Sequence, residues 1–146
     1  MTQPNAIPKG YHSVTPYLVV QGVANLIDFL KQAFDAENFE KISGEDGSIM
    51  HAEVRIGDSV VMMGEAGGEW KPMPSWLYLY VTDADAVYSK AIQAGATSIS
   101  EPKDEFYGDR TGSVKDPSGN CWTIATRKEN LTMDEITKRA QAHAKA

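Results

Sequence analysis

An internal repeat constrains this chain more than any other feature of its sequence. Tyr17-Leu-Val-Val20 returns as Tyr78-Leu-Tyr-Val81, an offset of 61. The same offset lays the amphipathic stretch from Val23 onto the one from Ala84, and Gln32-Ala33 onto Gln93-Ala94. An offset of 62 brings Gly57 onto Gly119, each just before a short apolar strand. Identity between the copies is thin, so the order of elements carries the argument.

In the first copy, β-branched and aromatic residues predict a strand over His12–Val20. Val23, Leu26, Ile27, Leu30 and Phe34 follow at helical spacing, with Asn25, Asp28, Lys31 and Asp35 facing away. Strands are expected at Phe39–Ser43, Ile49–Ile56 and Ser59–Glu65, the first two joined through Asp46-Gly47, a pair suited to a tight hairpin. The second copy predicts a strand at Trp76–Val81 and a helix turning Ala84, Val87, Tyr88, Ala91 and Ile92 inward before Gly95 stops it. Strands at Thr97–Ser100, Thr111–Lys115 and Asn120–Thr126 complete it, with turn chemistry in Asp116-Pro-Ser-Gly119.

The reading is an α+β fold: two βαβββ modules forming a curved mixed β-sheet cleft, with helices on the outer face. The modules span residues 12–65 and 76–127, after an N-terminal tail at 1–11. The linker 66–75 holds Gly67-Gly68 and two prolines. In the remaining segment, 128–146, Thr132-Met-Asp-Glu135 is a capping box that predicts a helical arm to about Ala144. Met133, Ile136 and Ala140 share one side of it, and Lys138, Arg139 and Lys145 suit its C-terminal end.

A chain of 146 residues supports one sizeable core and not two ordinary domains. Its formal charge is −6, and no Lys/Arg cluster interrupts the acidic balance, so neither nucleic acid nor an anionic membrane is an expected partner. No apolar run approaches the ~20 residues of a membrane span, and Met1–Gly10 lacks the apolar heart of a signal peptide. The single cysteine, Cys121, allows neither an internal disulfide nor a cysteine-based zinc cluster. A cytoplasmic protein is expected.

Strand parity then assigns faces. Leu77, Leu79 and Val81 share one side of their strand, and Trp76, Tyr78 and Tyr80 the other; Met50, Ala52, Val54 and Ile56 oppose His51, Glu53 and Arg55. Aliphatic sides seat the helices. The mixed sides are expected to line a pocket with apolar walls and a few polar groups. The plain alternatives are a solvated face for His51-Glu53-Arg55 and subunit packing for the three aromatics.

The segment from Phe106 through Gly108-Asp-Arg110 and Asp116-Pro-Ser-Gly-Asn120 to Thr126 resembles a hallmark of the vicinal oxygen chelate superfamily, which holds the glyoxalase, bleomycin-resistance and dioxygenase proteins. Val14-Thr-Pro-Tyr-Leu18, Met50-His-Ala-Glu-Val54 and Val81-Thr-Asp-Ala-Asp-Ala-Val87 are similar to its PhnB-like branch, as is Lys128 to Ile136. The resemblance covers about Tyr11 to Ala140. It implies two modules cupping a cavity, and a homodimer. Metal-using members place ligands at positions corresponding here to Thr15, Val61, Trp76 and Thr123, none of them a His or a Glu. Transition metals need imidazole, carboxylate or thiolate donors, so neither the usual metal nor any other cofactor is expected.

The resulting expectation is a small-molecule-binding protein. Trp76, Tyr78 and Tyr80 would stack the ligand, and His51, Glu53, Arg110 and Thr123 would orient it. The Asp109-Arg110 pair has a second reading as a salt bridge pinning its loop. His51 with Glu53 is also the candidate catalytic acid/base couple. The alternative is a metal-dependent lyase, isomerase or dioxygenase with a non-standard site around His51 and Glu53, taking a third donor from Cys121, Glu65 or Asp109. A non-catalytic dimeric partner protein is the third reading. No nucleophile motif or phosphate loop is present.

Overall fold

The computed structural model describes residues 3–145, and the side chains of all of these except residues 39 and 145. Expectations resting on Met1, Thr2 and the Lys145 side chain lie outside the described residues. The first module runs β1 (Tyr17–Val20), α1 (Val23–Phe34), β2 (Glu37–Ser43), β3 (Ile49–Ile56) and β4 (Ser59–Glu65). The second runs β5 (Trp76–Tyr80), α2 (Ala84–Gln93), β6 (Thr97–Asp104), β7 (Asp109–Lys115) and β8 (Cys121–Arg127), and α3 (Met133–Lys145) follows.

Each module is a four-stranded mixed sheet, ordered β1-β4-β3-β2 in one and β5-β8-β7-β6 in the other. The first strand of each lies parallel to the last, and the remaining pairs are antiparallel. Tyr17 pairs with Met62 and Tyr78 with Thr123, so an offset of 61 holds across the strands as well as along the chain. The same offset relates the helix starts. The Glu65 carboxylate accepts from Gly22 and Val23 N–H at 2.8 and 3.0 Å, and at the corresponding place Thr126 Oγ1 accepts from Ala84 N–H at 2.8 Å. Both supply acceptors to donors that a helix leaves unpaired at its N-terminus.

Several element ends differ from expectation. β1 begins only at Tyr17, because Pro16 offers a carbonyl to Met62 N–H but has no N–H to return. β6 continues through Pro102 to Asp104; it is an edge strand with register shifts on both sides of Ser100, where proline is tolerated. The α3 capping box forms, Thr132 Oγ1 accepting from Glu135 N–H at 3.2 Å.

The modules meet through their helices. α1 buries Val23, Leu26, Ile27, Phe29, Leu30, Ala33 and Phe34, a stripe wider than expected because the helix packs on its own sheet and also on α2. Phe34 reaches Trp122 of β8 with ring centroids 4.9 Å apart, and Lys90 Nζ lies 2.9 Å from Asp35. α2 buries only Ala84 and Ala91 fully, and Ile92, expected inward, is exposed. Among the described residues, no helix is long and apolar enough to cross a membrane.

Candidate functional site

Each sheet carries its helix on one side and leaves the other open. On the second sheet that open side presents Trp76, Tyr78 and Tyr80 from β5, which are 62%, 45% and 55% exposed. Behind them lies a buried polar floor: Asp109, Thr111, Ser113 and Thr123. Buried polar groups need partners, and these have them. Trp76 Nε1 donates to Thr123 Oγ1 at 2.8 Å, Thr123 shares a 3.0 Å hydrogen bond with Ser113, and Thr111 Oγ1 donates to Glu105 at 3.0 Å. Tyr78 and Tyr80 both donate to Asp109 Oδ2, at 2.7 and 2.8 Å. Burial first, then the Tyr107 and Asp109 contacts, raises the Tyr78 phenol well above its ordinary range. The Asp109 hydrogen bond, ahead of burial, also raises the Tyr80 phenol, with Arg127 opposing it.

On the first sheet, Tyr17 hydroxyl lies 3.3 Å from His51 Nδ1, and His51 Nε2 is 3.8 Å from Glu53. Glu53 is buried and accepts a hydrogen bond from Tyr11, which brings the N-terminal segment over this face. Gly64 sits beneath the Tyr17 ring, where a Cβ would strike the hydroxyl. His51 and Glu53 are thus neighbours, as parity requires, and so are Trp76, Tyr78, Tyr80 and Thr123.

The two groups stay apart within one chain. A cleft of about 770 Å³ does lie between the modules, lined by Phe34, Arg55, Ile56, Tyr78, Tyr80 and Val87 among others. Neither His51 nor Trp76 is among its walls.

Two sequence assignments need correction. Arg110 lies on the helix side of its strand, with Nε 2.7 Å from Asp85 and Nη1 3.2 Å from Asp104. Asp109 and Arg110 are adjacent in one strand, so they point to opposite faces and form no pair. Val61 pairs with Val54 and is buried in the core; the open-face residue on the neighbouring rung is Met62, opposite Tyr17 and Glu53. Glu65 is taken up as the α1 cap. Sequence reasoning missed Tyr11 and gave Asp109 no role beneath the tyrosines, although its parity with Thr111 and Ser113 was a usable signal.

With Met62 in place of Val61, the four positions implied for a metal offer two hydroxyls, a thioether and an indole. The Thr123 hydroxyl is already engaged by Trp76 and Ser113, and an indole N–H donates only. These residues do not fit the family's usual metal. Among the described residues, no three His, Cys, Asp or Glu side chains gather in a way that could hold a metal ion. The hallmark turn is structural: buried Asp116 accepts from Ser118 and Asn120 N–H, both at 2.9 Å, and from Trp122 Nε1 at 2.8 Å.

The family model of the Glyoxalase/Bleomycin resistance protein/Dioxygenase superfamily matches residues 10–124. A Mycobacterium tuberculosis protein, Rv0887c, is 36% identical over 135 residues, covering 85% of this chain and 79% of its own length. Among solved structures, TioX from Micromonospora sp. ML1 is similar with a TM-score of 0.66 at 20% identity, covering 83% of this chain and 100% of that one. The fosfomycin resistance protein FosX from Listeria monocytogenes is similar with a TM-score of 0.62 at 13% identity, covering 86% and 97%. At these identities the structural likenesses speak for the fold alone.

Proposed function

The chain belongs to the glyoxalase/bleomycin resistance protein/dioxygenase superfamily, and from that premise we propose that it is a cytoplasmic small-molecule-binding protein working without the family's usual metal centre. The observation that carries this is the wall of Trp76, Tyr78 and Tyr80 standing over a buried polar floor. Three half-exposed aromatics offer a large stacking surface, and the fixed hydroxyls and carboxylate behind them orient a ligand. The resistance proteins in the superfamily's own name are consistent with a protein that meets foreign compounds. The hallmark segment favours the PhnB-like branch.

The working unit of this reading is a homodimer. Within one chain the modules are joined through their helices, so neither open face closes the other. β5 is an edge strand, and Tyr17, Trp76, Tyr78 and Tyr80 leave much apolar area uncovered on the two faces. A second copy would seat the first-module face of one chain against the second-module face of the other, bringing His51 and Glu53 across from the aromatic wall. Sedimentation equilibrium at micromolar concentration should give twice the chain mass; a monomer would remove this arrangement.

A thermal-shift screen over planar aromatic and drug-like compounds tests the binding reading. At least one class should stabilise the fold by several degrees, because a ligand that binds only the native state raises its melting temperature. Trp76→Ala should abolish the shift. A panel without a single stabilising compound would defeat the proposal.

A further inference from the structure

The hydrogen bonds under the aromatic wall define which chemical group the site takes; this inference rests on the binding reading above and narrows it. Asp109 is 3% exposed and receives two phenol protons, both on Oδ2. Its other oxygen, Oδ1, is buried and finds no hydrogen-bond partner among the described residues. The facing cation is Arg127, whose Nε stands 3.7 Å away on a side chain that is 62% exposed, too far for a hydrogen bond. A buried carboxylate oxygen left in this state is costly unless something donates to it.

The tyrosines fix the polarity of the whole cluster. Tyr78 lies 2.7 Å from Asp109 and 3.3 Å from Tyr107. A carboxylate is the stronger acceptor, so the single Tyr78 proton goes to Asp109 and Tyr107 donates to Tyr78. Tyr80 also sends its proton to Asp109. Every hydroxyl proton therefore runs toward the carboxylate. What remains available is acceptor capacity on Asp109 Oδ1; the Tyr80 oxygen is shared with Arg127, which hydrogen-bonds to it as well. The ring faces of Tyr78 and Tyr80, with centroids 5.2 Å apart and planes tilted by 54°, present negative π surface beside them. A donor-rich, positively charged group complements all of these, whereas an anion would meet a carboxylate and two filled phenols.

We propose that Tyr78, Tyr80 and Asp109 form the recognition site for a cationic nitrogen, a protonated amine or amidinium carried on a planar aromatic body, and that Arg127 covers Asp109 Oδ1 until the ligand displaces it. Arg127 is then a built-in competitor. Its removal strengthens binding of a cation, where a residue serving the ligand directly would weaken binding when removed.

Fluorescence titration of the full chain with proflavine, a planar cation at neutral pH, and with acridone, a neutral compound on the same tricyclic frame, tests this. The wild type should bind proflavine about tenfold more tightly than acridone. Asp109→Asn keeps the side chain's shape and should erase that preference. Arg127→Met, at an exposed position, should tighten proflavine binding several-fold and leave acridone unchanged, which keeps the test informative even if Asp109→Asn fails to fold. Equal binding of the two dyes to the wild type, or weaker proflavine binding by Arg127→Met, overturns the cationic assignment while leaving the small-molecule reading intact. Binding of neither dye, together with an empty thermal-shift screen, overturns both.

Discussion

Glu53 and Asp109 are both buried carboxylates on the open faces of their sheets, and both accept tyrosine hydroxyls, yet their surroundings differ. Glu53 has His51 3.8 Å away, a side chain able to carry a proton, and its tyrosine comes from the N-terminal segment. Asp109 has two tyrosines reaching across β8 from β5 and an oxygen that receives no hydrogen bond. The acids do not occupy equivalent rungs. Glu53 lies opposite Met62, and the repeat partner of that pair is Ser113 opposite Thr123. One scaffold therefore sets an imidazole beside the buried carboxylate in its first copy and two phenols on the buried carboxylate in its second. The backbone register is common to both, and the function lives in side chains that the duplication does not preserve.

The cores differ too, and here the largest effects are expected. α1 supplies seven buried residues, whereas α2 buries only two alanines fully. Leu30→Ala in α1 should cost about 3 kcal/mol in urea unfolding, and Val87→Ala in half-buried α2 about 1 kcal/mol. Equal losses would mean that the two modules carry the fold jointly and that the contrast between their helices is cosmetic.

Glycines sharpen the comparison at a smaller scale. A Cβ on Gly112 would meet Tyr88 at 2.9 Å and the Pro102 ring and nitrogen at 3.1 and 3.2 Å, a contact with packed ring and backbone. A Cβ on Gly64 would meet the hydroxyl end of exposed Tyr17, which can swing away. Gly112→Ala should therefore destabilise by about 2 kcal/mol and Gly64→Ala by less than about 1 kcal/mol. Gly64→Ala should instead show in the tyrosine's loss of its contact with His51, read as a change in the His51 ring chemical shifts by NMR.

The parts of this that were legible in the sequence were those governed by a period of two or 3.6. Parity separated Leu77 and Leu79 from Tyr78 and Tyr80, and helical spacing found most of the α1 stripe. Parity failed in Val60-Val-Met-Met63, where every residue is apolar and no alternation marks the faces. Only the pairing of Tyr17 with Met62 resolves it. Phe29 was missed because it lies beside the predicted stripe, yet it is buried, with its ring 5.7 Å from that of Phe34. Arg110 was misassigned although parity could have placed it, because the loop was expected to continue where β7 had already begun. Tyr11 lies in a segment without regular structure, so no periodicity announces its reach to Glu53.

The helix caps come next in size. Glu65→Ala and Thr126→Ala remove corresponding acceptors and should each cost about 1 kcal/mol. Their salt dependence should separate them. Glu65 acts as a charge at the α1 N-terminus, so its contribution is screened and shrinks in high salt, whereas the neutral Thr126 hydroxyl is insensitive to salt. Identical salt responses would show that Glu65 acts through hydrogen-bond geometry alone.

The smallest effect is read at high pH, and it compares the two tyrosine–carboxylate contacts directly. The hydrogen bond to Glu53, ahead of burial, raises the Tyr11 phenol from 10.0 to about 12. Its neutral form is thus favoured in the folded state. The stabilisation is fully present below pH 10 and is lost as the pH rises through about 12. Melting temperature should accordingly fall across that window, and Tyr11→Phe, which has no proton to lose, should flatten part of the fall. Tyr80 is raised in the same direction by Asp109, so a residual slope should persist in Tyr11→Phe and diminish again in the variant that adds Tyr80→Phe. If Tyr11→Phe left the slope between pH 10 and 12 untouched, the N-terminal segment would not be seated on Glu53 in solution. The first-module face would then be open to solvent or to a partner, and the difference between the two faces would reduce to the aromatic wall of the second.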